Sequence, residues 1–116
     1  QNNLIDKDLA NFIVGTPTMI LQNGFGQTMA FLIAKGNNSN DRSSQDQNKY
    51  NFVYEAIIDW AGRQNSDIKK DKKEFLESIS KIEQTEYLRI QEETLKLLQW
   101  LKRYARAFQV EASKGD

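Results

Sequence analysis

Four cations near the C-terminus, Lys96, Lys102, Arg103 and Arg106, share one side of the chain if residues 86–111 are helical. Steps of three and four residues return to the same face of an α-helix. Lys and Arg grouped in this way can hold phosphate oxygens, and no base need be read for them to do so. The same charges have a second reading. Glu86, Glu92 and Glu93 come first and the cations last, an order that suits the helix dipole without any ligand. A further basic group, Lys69, Lys70, Lys72 and Lys73, follows the turn Asn65-Ser66-Asp67 and is either a solvated face or another phosphate contact.

Other chemistries find little support. The 116-residue chain contains no histidine and no cysteine. That removes the usual acid–base group near neutral pH, thiolate nucleophiles and disulfides, and it suits a cytoplasmic site. Serines and threonines have no histidine to activate them. Gly24-x-Gly26 lacks the third glycine of a dinucleotide loop, since Met29 stands in its place, and no strand precedes it. The carboxylates form no pattern that points to a metal. A non-catalytic protein without cofactor or metal is expected. Formal net charge is zero, so any anion-binding patch must be local. The apolar run Met29 to Ala34 is far too short to span a bilayer. The chain starts at Gln1 rather than methionine, which leaves its natural N-terminus open.

The elements that would position these residues are helical. Proline occurs once and alternating β-branched runs are scarce. The expected fold is all-α, a single-domain bundle of about five helices with a long C-terminal helix. Periodicity places them at about 3–13, 17–35, 47–62, 71–82 and 86–111, with a flexible loop over 36–47. The loop has no large apolar residue to bury and cannot offset its ordering entropy.

The stretch Thr16 to Gly36 organises the bundle. Thr16 suits an N-cap, Pro17 a first helical position and Gly36 the residue past the end. On one helix, Ile20, Leu21, Gly24, Phe25, Thr28, Phe31 and Leu32 share a core face, with Gly24 at its middle. Gly26 falls outward beside Gln22, Asn23 and Gln27, a surface suited to a neighbouring subunit. The alternative is that Asn23-Gly24 is a turn dividing the segment into two short helices. Trp60 lies off the centre of its helix's apolar stripe, as a partly buried anchor or a partner contact. In the last helix, with Thr85 as N-cap, Tyr87, Ile90, Gln91, Thr94, Leu97, Leu98, Leu101, Tyr104, Ala105 and Phe108 trace the core-facing arc.

Two blocks carry a family resemblance. Asn23-Gly24-Phe25-Gly26-Gln27-Thr28-Met29-Ala30-Phe31-Leu32 resembles a signature of the small subunit of type III-B (Cmr-type) CRISPR effector complexes. Leu98-x-Trp100-Leu101-Lys102-Arg103-Tyr104-Ala105, approached by Glu86-Tyr87-x-Arg89, is similar to that family's C-terminal block. The N-terminal region departs from the pattern, with a short helix before a Gly15-Thr16-Pro17 entry.

The resemblance implies a non-catalytic, cytoplasmic helical subunit of an antiviral RNA-targeting complex. Its copies would stack in a minor filament beside the backbone subunits and help form a basic channel for the guide–target duplex. RNA cleavage would belong to the backbone subunits and cyclic-oligonucleotide synthesis to the large subunit. The implied partners are those subunits, copies of the chain itself, CRISPR RNA and target RNA. Lys96, Lys102, Arg103, Arg106, Lys69 and Lys70 are then the RNA-binding candidates. Gln22, Asn23, Gly26, Gln27 and Trp60 are the subunit-interface candidates. The competing reading is a helical protein–protein adaptor with no RNA contact.

Overall fold

A computed structural model describes residues 7–37 and 44–115, except for the side chains of 44–48 and 108–115. Five α-helices follow one another with no strand among the described residues: α1 (Lys7–Asn23), α2 (Phe25–Gly36), α3 (Ser44–Gln64), α4 (Lys72–Lys81) and α5 (Gln84–Gly115). The all-α bundle with a long last helix is the expected class.

The central segment departs from expectation. Helix α1 runs through Pro17, which is neither a helix start nor a break. An interior proline costs about 3 kcal/mol. Here it sits between residues fully committed to the core, Ile13, Thr16 and Ile20, whose burial holds the helix on both sides of it. Thr16 is accordingly no N-cap; it is buried, and its hydroxyl donates to the Phe12 carbonyl at 2.8 Å. The break comes at Gly24, as the alternative reading of Asn23-Gly24 had it. Gly24 has φ 91° and ψ 157°, backbone that side-chain-bearing residues scarcely adopt. Its N–H donates to the Ile20 carbonyl at 2.7 Å, closing α1. Its own carbonyl accepts from Thr28 N–H at 3.1 Å, opening α2.

This elbow resets the helical phase. The buried set on α2 is Phe25, Thr28, Met29, Leu32, Ile33 and Gly36, a run at helical spacing. Two residues expected on the core face lie outside it: Leu21 is 70% exposed and Phe31 41%. Gly36 ends α2, and residues 38–43 of the expected loop lie outside the described residues. Helix α3 starts at Ser44, earlier than expected.

Helix α4 is capped by Asp71, whose carboxylate accepts from Glu74 N–H at 3.3 Å. Helix α5 starts earlier than expected. Tyr87 N–H donates to the Glu83 carbonyl at 2.8 Å, which leaves Thr85 inside the first turn rather than at the cap. Its buried seam is Ile90, Thr94, Leu98, Leu101 and Ala105. Tyr104, expected in that arc, is 43% exposed, and Phe108 lies outside the described side chains.

The core draws on all five helices, and α4 and α5 meet α2 at the fully buried Phe25. Its ring meets Phe75 and Tyr87 edge-on, at centroid distances of 6.2 and 5.9 Å. Such edge-to-face pairs are the favoured aromatic geometry. Helix α2 lies chiefly against α3, and α1 chiefly against α5.

Candidate nucleic-acid and subunit interfaces

The basic side of α5 is real but uneven. Lys96, Arg103 and Arg106 are exposed and Lys102 is half-buried. Lys96 is paired with Glu93 one turn earlier, at 3.4 Å. Arg103 and Arg106 form no ion pair among the described residues. Of the four cations, these two arginines have the most freedom to meet a phosphate.

Lys69 and Lys70 sit apart from them, on the connection between α3 and α4. Lys70 Nζ is 3.2 Å from Asp59, which also takes Arg63 at 3.0 Å. The hydrogen bond from Lys70, aided by the Arg63 charge, holds the Asp59 carboxyl below its ordinary range. Lys69 lines an open cavity of about 660 Å³ bounded by α4, the start of α5 and the 65–71 connection. Lys81 lines it too, but Asp67, Glu74, Glu77, Glu83 and Glu86 outnumber the two lysines, so its field disfavours phosphate. Lys96 lies some 15 Å along the helix axis from Glu86 at the rise of an α-helix. The cavity that holds Lys69 thus lies at the start of α5, before the stretch that carries Lys96, Lys102, Arg103 and Arg106.

Glu86 in that cavity is firmly ionised. Arg89 Nη2 donates to it at 2.7 Å, and Asn65 Nδ2 donates to it at 2.7 Å. Those bonds, the arginine's first, lower its pKa from 4.5 to about 2. The Arg89 pKa is raised in turn, chiefly by its hydrogen bond to Glu86. Arg89 also donates to the Gln64 carbonyl at 3.3 Å, tying the end of α3 to α5.

The interface candidates divide in the same way. Gln22, Asn23 and Gln27 are exposed around the elbow, beside the exposed Leu21. Gly26 is turned inward. Its N–H donates to the Tyr87 hydroxyl at 2.8 Å, and a Cβ added there would stand 3.3 Å from that oxygen. The preceding amide, of Phe25, donates to Gln91 Oε1 at 3.1 Å. Trp60 is half-buried, with its indole Nε1 buried and without a hydrogen-bond partner among the described residues.

Sequence reasoning missed the capping role of Tyr87 and Gln91. It had placed both on the core arc, and only the break at Gly24 creates donors for them. It also missed the stack of Trp100 on Tyr104 at the surface of α5. The i, i+4 spacing of the two rings was the available signal. Among the described residues no cluster of three or more carboxylates has the geometry to hold a metal ion. None of the helices, searched over the described residues, is long and apolar enough to cross a membrane.

The model of a family of CRISPR-associated proteins (Cas_Cmr5) matches residues 2–108. No solved structure matches the chain.

Proposed function

Because the chain belongs to the CRISPR-associated Cmr5 family, the small subunit of type III-B effector complexes, we propose that it is a non-catalytic member of the minor filament that helps line the basic channel for the guide–target duplex. Copies of the chain stack on one another there, beside the backbone subunits and in the cytoplasm. The guide supplies sequence recognition, so the small subunit needs only to meet phosphate and shape. The observation that carries this reading is the pair Arg103 and Arg106, exposed on α5 with no carboxylate taking their charge among the described residues. Lys102, half-buried and next to Arg103 in sequence, completes the RNA-facing set, and Lys96 adds partial charge after its pairing with Glu93. Lys69 and Lys70 contribute less, one in an acidic cavity and the other held by Asp59.

The exposed elbow fits the subunit contact. Leu21 with Gln22, Asn23 and Gln27 offers an apolar spot rimmed by amides, the usual make-up of a protein interface. Gly26 belongs to this contact only through its position, since its amide is taken within the chain.

The test is the charge reversal Lys102→Glu with Arg103→Glu, made in the assembled complex. Target-RNA affinity should fall at moderate salt, and the slope of log affinity against log salt should shallow by about one to two units. Normal assembly with unchanged affinity and slope would favour the adaptor without RNA contact.

A further inference from the structure

We infer that the Trp100–Tyr104 stack on α5 is a platform for unpaired RNA bases. The inference rests on the RNA-contacting reading above and adds base contact to phosphate contact. Trp100 is 59% exposed and Tyr104 43%, so two large rings lie on the surface of a chain whose other aromatic side chains mostly pack inward. Their geometry differs from that of every other ring pair among the described residues. Phe12–Tyr50, Phe25–Phe75, Phe25–Tyr87 and Phe31–Tyr50 meet edge-on, at interplanar angles of 71° to 87°. Trp100 and Tyr104 are parallel to within 8°, with centroids 5.4 Å apart. Edge-on pairs interlock in a core, whereas a parallel pair presents a flat outer face to whatever approaches.

The surrounding charge selects the occupant. On a helix, the surface neighbours of Trp100 include Lys96 one turn before and Arg103 one turn after. Glu93 is engaged by Lys96, and Arg103 has no such counter-charge among the described residues. A flat aromatic face beside an unpaired guanidinium complements a ligand that carries flat rings on an anionic backbone. Single-stranded nucleic acid has that chemistry, and stacking on aromatic side chains is how it is commonly held. Paired bases hide their faces within the duplex. The platform therefore takes bases outside it, at its end or displaced from it. Because every base has a π-face, little sequence preference is expected.

The experiment uses the full chain at low salt with two labelled probes, a twelve-nucleotide oligoadenylate RNA and an abasic ribose-phosphate chain of equal length and charge. Binding is read by fluorescence anisotropy. The RNA should bind more tightly than the abasic chain. Trp100→Ala should lower RNA affinity by roughly 5- to 150-fold for each base stacked and leave abasic binding unchanged, while Trp100→Phe should restore much of the loss. Unchanged helix content in circular dichroism would exclude misfolding for this exposed position. Equal losses for both probes, or none for either, would overturn the platform. So would failure of the wild-type chain to bind the RNA. The phosphate reading is decided separately, by the Lys102 and Arg103 reversal in the assembled complex. If Trp100→Ala instead blocked assembly while RNA binding held, the stack would be a protein contact.

Discussion

The hydroxyl of Tyr87 lies 2.8 Å from the backbone nitrogen of Gly26 and accepts its hydrogen. Gln91, one turn further along α5, does the same for Phe25 at 3.1 Å. The first amides of a helix have no partner within it and are normally satisfied by a side chain just before. Gly24 has none to offer. Two side chains of the last helix perform the capping of the second, and the absence of a Cβ at Gly26 lets the phenol come close enough.

Tyr87→Phe isolates that bond. It keeps the ring that meets Phe25 edge-on and removes only the acceptor. A partly buried amide left without a partner should cost about 1 kcal/mol. The urea midpoint should fall with no change in slope. An unaltered midpoint would mean that water replaces the hydroxyl.

Gly24 and Gly15 should respond oppositely to alanine. Gly24 holds a positive φ that only glycine readily adopts, and Gly24→Ala should cost about 1–3 kcal/mol. Gly15 lies within α1 with nothing near its Cβ position, so Gly15→Ala should add about 0.5–1 kcal/mol of stability. Thermal melts of the two variants check the contrast directly.

Glu86 makes stability depend on pH in one direction. Its folded pKa is near 2, below the ordinary 4.5, so the unfolded chain takes up the proton first as pH falls. Its contribution is fully present above about pH 4.5 and is lost toward pH 2. Glu86→Gln should therefore be less stable than the parent at neutral pH, with the gap closing across that acid window. Added salt should narrow the gap at neutral pH, since the carboxylate is only half-buried. A gap that persisted at pH 2 would place the effect elsewhere.

The bundle was legible where the signal is local. The i, i+3, i+4 apolar series of α4 and α5 locates their buried faces, and both helices follow it through Phe75 and Ile79 and through Ile90 to Ala105. Pro17 misled because proline is read against its immediate neighbours. Here burial of Ile13, Thr16 and Ile20 outweighs its cost. The elbow was visible only as an alternative. Nothing near Asn23-Gly24 reveals that its freed amides have acceptors more than sixty positions away. The charge of Lys70 looked available for the same reason: Asp59 reaches it only after the chain has turned through Asn65 and Asp67. Helical spacing groups Trp100 and Tyr104, but their parallel planes are a tertiary fact.

The elbow also orders events in time. Its two capping bonds close loops of 61 and 66 residues, so during synthesis α1 and α2 emerge long before the side chains that join them. A helix of 12 residues is marginal on its own in water. α1 and α2 thus leave the ribosome before the acceptors of their junction exist, and the Phe25 and Gly26 amides are satisfied within the chain only once α5 has docked. A helix made late completes the cap of one made early.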